Sequence, residues 1–298
     1  MNEMPDNRET MAEMPNPLGL DGIEYIEYAT SKPQALGQLL ERMNFHPVAR
    51  HRSREVLLYR QGSMNVIINA HAGVVGGARA AGEVPRISAL ALRVRDARAA
   101  YSYVLERGGW EVPMHAQVME LNIPGIHGPG GSHIYFVDRY REFSIYDVDF
   151  TPIQGVDPKP PALLGMHFFG VVQYIGTDRT DDWIEFYREL FGFALLPDSQ
   201  RFGILPKGKV LASPCGQFHL QLIEPLPSGV SGTEVELFQR LGLGAPDVLA
   251  TVAQLRRNGV DFFESPTTHT EARGALTQTY LGSVMFELVH AKRAAARN

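Results

Sequence analysis

A single cysteine, Cys215, stands in 298 residues. No disulfide can therefore form within the chain, which suits a reducing compartment, and a cytoplasmic protein is expected. Long apolar runs are also missing: nothing approaches the roughly 18 consecutive apolar residues a spanning helix needs, so no membrane partner is expected. The first residues, "MNEMPDNRETMAEMPNP", lack the apolar centre of a signal peptide, and 1–16 is expected to be a disordered lead-in. Positive charge is not in excess, since 28 Lys and Arg face 33 Asp and Glu for a net charge of −5. That balance argues against non-specific binding to nucleic acid or anionic membrane. What is present is an ordinary globular composition, 44% hydrophobic and 20% charged, in a chain long enough for two domains with their own cores.

Internal repetition organises the chain. "DGIEYIEYA" reads as a strand, "KPQALGQLLERMNFHPV" as a helical pattern, and "EVLLYRQG" and "MNVIINA" as a strand pair. The series recurs as the strand "GMHFFGVVQY", the helix "RTDDWIEFYRELFGFALL" with a stop at Gly192, and the strands "GKVLASP" and "FHLQLIEP". A second kind of unit also occurs twice, in "RISALALRVRDARAAYSYVLERGGWEV" and "FQRLGLGAPDVLATVAQLRRNGVDFF". Each is a strand, a turn with Asp, a helix, a Gly and a short strand. Each is followed by a strand pair, finishing in "FSIYDVDF" or "VMFELVHA". Four strand–helix–strands units thus form two halves. The proline-rich "TPIQGVDPKPPALL" reads as the linker between them, which sets a first domain at 17–150, a linker at 151–164 and a second domain at 165–298. One unit cannot cover its own sheet face, so two units are expected to pair into a curved sheet around a pocket.

Strand parity points to candidate site residues. In "FHLQLIEP", Phe218, Leu220 and Leu222 share one face and His219, Gln221 and Ile223 the other, which would look into the pocket. Glu287 stands alone in the apolar run "VMFELVHA", where an unpaired carboxylate costs several kcal/mol, about 3 or more. His167 is placed similarly in "GMHFFGVV". One imidazole and one carboxylate make two thirds of the facial triad that holds non-haem Fe(II). A satisfied core histidine and an arginine-paired glutamate are the plainer readings of the same residues. By repeat alignment His167 corresponds to Glu24, Arg240 to Ala89 and Glu287 to Asp147, so the first half lacks a histidine in this set and a metal site is expected in the second. "HGPGG" at 127–131 matches no phosphate-loop spacing and reads as a turn. Cys215 and the serines have no recognisable base partner, which gives no support to nucleophilic catalysis.

Several stretches, among them "NPLGLDGIEYIEYA", "MELNIPGIHGPGGSHIYFVDRY" and "SIYDVDF", closely resemble the N-terminal half of bacterial 4-hydroxyphenylpyruvate dioxygenases. The resemblance continues through "WIEFYRELFGF", "LATVAQLRRNGVDF" and "GSVMFELVHAKR". It implies an α+β chain with the vicinal oxygen chelate fold, four βαβββ units forming two curved open-barrel domains. It also implies Fe(II) held by two His and one Glu, acting on an aromatic 2-oxo acid in tyrosine catabolism. By that resemblance the first His falls on His167 and the Glu on Glu287, while the second His position, "QH" in the family, reads "QR" and falls on Arg240. A guanidinium has no lone pair to give a metal. A family glutamine falls on Gly274 and a family asparagine on Ile223, and with the sequence ending at Asn298 the family's C-terminal helix is expected to be absent.

Three readings remain open. A different divalent metal site can survive on His167, Gln221 and Glu287, with His219 as substitute, as the resemblance to glyoxalase I implies. Arg240 can take the metal's place by pairing with Glu287 or by facing a substrate carboxylate, with His219 and Gln221 as further substrate contacts. The plainer case within that second reading is that Arg240 points outward, to solvent or Glu236. In the third reading the fold survives as a small-molecule binder without catalysis. The functional expectation is a 4-hydroxyphenylpyruvate dioxygenase-like protein with an altered or lost activity. The alternative is a metal-free or differently metallated binding protein, lyase or isomerase of the same fold. The partner expected is a small molecule, and a homo-oligomer is compatible with the sequence.

Overall fold

The computed structural model describes residues 15–71, 84–113, 121–200, 202–204, 208–224, 236–266 and 268–292. The lead-in read at 1–16 thus lies almost wholly outside the described residues. Its last residue, Asn16, is ordered: the side chain bonds both the N–H and the carbonyl of Leu20, at 2.7 and 2.9 Å.

The first unit comprises β1 (Ile23–Ala29), α1 (Pro33–Arg42), β2 (His46–His51), β3 (Val56–Gln61) and β4 (Met64–Asn69). The second has β5 (Arg86–Arg93), α2 (Ala97–Leu105), β6 (Gly125–His127) and β7 (His133–Val137), after which α3 (Ile145–Asp149) and β8 (Phe150–Pro152) close the first half. The third has β9 (His167–Tyr174), α4 (Thr180–Phe191), β10 (Ala194–Leu195), β11 (Lys209–Ala212) and β12 (His219–Ile223). The fourth has β13 (Leu237–Ala245), α5 (Val248–Arg257), β14 (Gly274–Leu276) and β15 (Phe286–His290). These form two mixed sheets, in the orders β6-β7-β5-β1-β4-β3-β2-β8 and β10-β11-β12-β9-β13-β15-β14. In each sheet the two units meet along an antiparallel pair of first strands, β1 with β5 and β9 with β13. The α+β architecture of two curved sheets therefore stands as the repeats implied.

Local chemistry sets the helix ends. Asp96 and Asp247 accept from the N–H groups of Ala99 and Ala250 at 2.8 and 2.9 Å and so cap α2 and α5. Gly192 closes α4 in the left-handed conformation at φ 73°. α4 buries Tyr187, Leu190 and Phe191, an i, i+3, i+4 stripe, against a core shared by both halves, and Phe191 stacks on Phe136 at 6.2 Å. No helix among the described residues is long and apolar enough to cross a membrane.

Three local expectations change. The helical pattern from Lys32 to Val48 stops at Arg42, because Asn44 turns the chain at φ 70° and His46 opens a strand. "FSIYDVDF" is not a strand end but the short helix α3, whose Ser144 and Asp147 form a capping box. The segment read as linker begins as β8, which pairs with β2. "HGPGG" is a tight turn, where Gly130 meets the backbone of Glu236 in the other half.

Register corrects the repeat alignment. Ala89 and Arg240 do correspond, each seven positions before its helix-capping Asp. But Ala91 pairs with Tyr135 just as Gly242 pairs with Glu287, so the counterpart of Glu287 is Tyr135, not Asp147. Both first strands also skip one residue against their partners, at Glu24 and at Phe169. Glu24 is therefore the counterpart of Phe169. The counterpart of His167 is Gly22, whose carbonyl accepts from Arg93 N–H at 2.9 Å. An inserted residue in a strand shifts every side chain beyond it, and no sequence alignment of short strands shows that.

Candidate functional site

The concave face of the second sheet is built from three strands in register, β9, β13 and β15. His167 and Val289 flank Gly244, Gly170 and Glu287 flank Gly242, and Val172 flanks Arg240. Two glycines on the middle strand thus make a trough that ends at a long cation. The His167 ring lies over Gly244 so closely that a Cβ there would collide with it. Its Nδ1 is 3.1 Å from the carbonyl of Gly165, which fixes one side of the ring.

Arg240 and Glu287 are brought together. Arg240 Nε donates to Glu287 Oε2 at 3.0 Å, and the residues are 2% and 3% exposed. Arg240 Nη1 donates to Gln239 Oε1 at 3.0 Å, while the buried Nη2 has no hydrogen-bond partner among the described residues. Glu236, the other carboxylate considered for Arg240, instead accepts from Trp183 Nε1 at 2.9 Å. Burial pushes the Glu287 carboxyl up from its ordinary range, and Arg240 pulls it back only in part.

His219, Gln221 and Glu287 line one cavity together with Phe169, Phe202 and Gly242. The alternation predicted for β12 holds, since Leu220 and Leu222 face the core at 1% exposure each. His219 stacks on Phe169 at 4.6 Å and meets Phe202 at 4.8 Å, and its Nδ1 has no hydrogen-bond partner among the described residues. Burial lowers the pKa of this imidazole, opposed by a hydrogen bond to the backbone of Phe169, so the ring is neutral near pH 7. His167 lines a different cavity, at the seam between the halves, with Arg93 and Gln217.

An iron centre of two His and one Glu does not fit these residues. The β13 position that the resemblance assigns to the second His carries a cation already bonded to the carboxylate, and a guanidinium cannot ligate. Among the described residues no three of His, Cys, Asp or Glu lie where they could hold a metal ion.

Sequence reading missed Phe169, Phe202, Gly203 and Gln239. Phe169 and Gln239 are the skipped residues of their strands, a feature without sequence signature. Gly203, at φ 64°, packs against Glu287 Oε1, and Gly274 leaves room for it.

Residues 14–151 match the family described as hydroxyphenylpyruvate dioxygenase, N-terminal, and residues 167–279 the glyoxalase/bleomycin resistance protein/dioxygenase superfamily. A 4-hydroxyphenylpyruvate dioxygenase of Pseudomonas sp. (strain P.J. 874) is 34% identical, over 84% of this chain and 73% of its own length. A 3-dehydroshikimate dehydratase of Pseudomonas aeruginosa is 31% identical, over 86% of this chain but 42% of its own length. Among solved structures, a xylose isomerase-like TIM barrel/4-hydroxyphenylpyruvate dioxygenase fusion protein superposes with a TM-score of 0.73 at 23% identity, covering 96% of this chain and 51% of that one. A triple mutant of 4-hydroxymandelate synthase from Streptomyces coelicolor gives 0.70 at 17% identity, covering 94% of each. Paired βαβββ units curved around an inner cavity make this a vicinal oxygen chelate protein. Within that superfamily, the chain belongs to the 4-hydroxyphenylpyruvate dioxygenase family.

Proposed function

We propose that the second half, 165–298, binds a small aromatic carboxylate of the 2-oxo acid class through Arg240, and that the Arg240–Glu287 pair stands where the family's iron would be held. The observation that carries this is the buried 3.0 Å contact together with the unpartnered Nη2. A buried guanidinium with one free donor invites an anionic acceptor, because a charge-assisted bond satisfies it and a neutral group satisfies it less well. The pair is neutral overall, so an arriving carboxylate raises the proton affinity of Glu287 further and makes its carboxyl the proton-holding group of the site. His219, neutral and with Nδ1 unpartnered, offers a second polar contact. Dioxygenation of the family type is then lost, in a protein of the cytoplasm.

The purified protein is assayed for bound metal, oxygen uptake and binding of 4-hydroxyphenylpyruvate. Binding without oxygen uptake, lost in Arg240→Ala, is expected. One bound iron that is lost on Glu287→Ala, with homogentisate formed, would sink the proposal. Arg240→His is expected to gain affinity for Fe(II) or Co(II).

A second reading rests on His219, Gln221 and Glu287 sharing one cavity. A divalent ion held there by His219, Gln221 and Glu287, with His167 left out because it lines the other cavity, makes a metal-dependent lyase or isomerase. Titration with Co(II) decides: binding abolished by Gln221→Ala favours this reading over the first.

A further inference from the structure

The cavity inside the second sheet has about 30 Å³ of free space. A water needs roughly 10–15 Å³ by the same kind of measure, so about two waters fit and a six-membered ring does not. The reason is Phe202. Its ring packs at 5.0 Å on Phe169 and 4.8 Å on His219, two rings that are themselves stacked at an interplanar angle of 21°. The next residue, Gly203, closes the polar end. It lies between Glu287 Oε1 and Gly274, and a Cβ on either glycine would collide with its neighbours. The first half supports the same logic. There the sheet interior is filled by the chain itself, with Ile145 and Tyr146 of α3 and Phe150 packed against Tyr25 and Ala91.

We infer that Phe202 is the specificity-determining residue of this pocket: its ring holds the berth beside Phe169 and His219 that a ligand's own flat ring takes, and Gly203 seals Glu287 while it does so. This rests on the small-molecule reading of the pocket but not on Arg240 recognising a carboxylate. It defines the admissible ligand as one with a single unsaturated ring that displaces Phe202. A purely aliphatic acid gains no stacking partner to offset that displacement.

The test uses phenol, a ring without a carboxylate, and 4-hydroxyphenylpyruvate, with the His219 ring signals followed by NMR in the whole chain. Phe202→Ala is expected to bind phenol saturably where the unaltered protein does not. It is also expected to bind 4-hydroxyphenylpyruvate about tenfold more tightly, the equivalent of no longer displacing one half-buried phenyl ring. The His219 pKa should rise toward 6.5 in the variant as its ring is uncovered. Phe202→Leu keeps the core filled if the alanine variant fails to fold, and should show the same changes at smaller size. Phenol binding equally to altered and unaltered protein, or to neither, overturns the inference. Phenol binding by the variant with no binding of 4-hydroxyphenylpyruvate upholds the berth and removes the carboxylate reading instead.

Discussion

The two halves share one frame and use it differently. On the middle strand of the first sheet the inward positions are Ala89, Ala91 and Arg93; in the second they are Arg240, Gly242 and Gly244. Each half therefore has one arginine there, at opposite ends of the trough, and each arginine has found a carboxylate. Arg93 Nε meets Glu24 Oε2 at 2.5 Å, and Arg240 meets Glu287 at 3.0 Å. The environments differ. Arg93 keeps 18% of its side chain exposed, and Glu24 also accepts from Asn65 Nδ2 at 3.3 Å, whereas both members of the second pair are almost fully buried. The first interior is filled by packed side chains beside its ion pair, while the second keeps a mostly apolar cavity into which His219, Gln221 and Glu287 project. Repeat symmetry thus preserves the sheet, and the chemistry is decided by a few inward positions.

The largest expected effect tests the two pairs against each other. Arg240→Met leaves Glu287 buried without its cation and is expected to cost about 3–5 kcal/mol in urea unfolding. Arg93→Met should cost clearly less, because Asn65 still serves Glu24 and water reaches the site. Equal losses would mean that the burial difference has no energetic weight. The double variant Arg240→Met/Glu287→Leu should regain most of the loss, since it removes the stranded charge.

Next in size is the trough. Gly244→Ala drives a Cβ into the His167 ring and is expected to cost about 1–3 kcal/mol. Gly242→Ala meets nothing closer than 3.3 Å and should cost less. If the order reverses in thermal unfolding, the seat of His167 over Gly244 is not what holds that ring. Smaller still, Asp96→Ala and Asp247→Ala should each lose about 1 kcal/mol, and by similar amounts, because the two caps are alike in geometry.

The smallest effect concerns pH. Each half has one partly buried histidine whose pKa is lowered from 6.5 by loss of solvent, His133 in the first and His219 in the second. Below 6.5 the unfolded chain takes up those protons before the folded one does, so stability should fall as pH drops from 6.5 toward the folded values. Glu287 has the opposite sign: its raised pKa means a contribution present below 4.5 and lost as pH rises through the folded value. His219→Gln and His133→Gln should each flatten the slope between pH 6.5 and 5. A slope unchanged by either substitution excludes these imidazoles as its source.

Much of the fold was legible because its signals are local. Alternation marked β12, the Asp turns marked the starts of α2 and α5, and Gly192 marked the end of α4. A lone Glu in an apolar strand singled out Glu287 without any geometry, and the family resemblance, with "QR" in place of "QH", singled out Arg240. The contact between them was not legible. They lie 47 residues apart, and their meeting depends on how β13 and β15 are registered. The skipped residues Glu24 and Phe169 could not be read either, because a strand with one residue too many has the same composition as one without.

By itself the sequence determined the four units, the strand faces and the presence of one cation and one carboxylate that burial would force to find partners. Tertiary structure alone decided that those two partner each other, that His219 and Gln221 share a cavity with Glu287 while His167 opens on the seam, and that Phe202 packs on Phe169 and His219. The physical reason is that periodicity and capping act within a few residues of chain. Ion pairing and ring stacking act across strands, whose register is fixed only when the whole sheet closes.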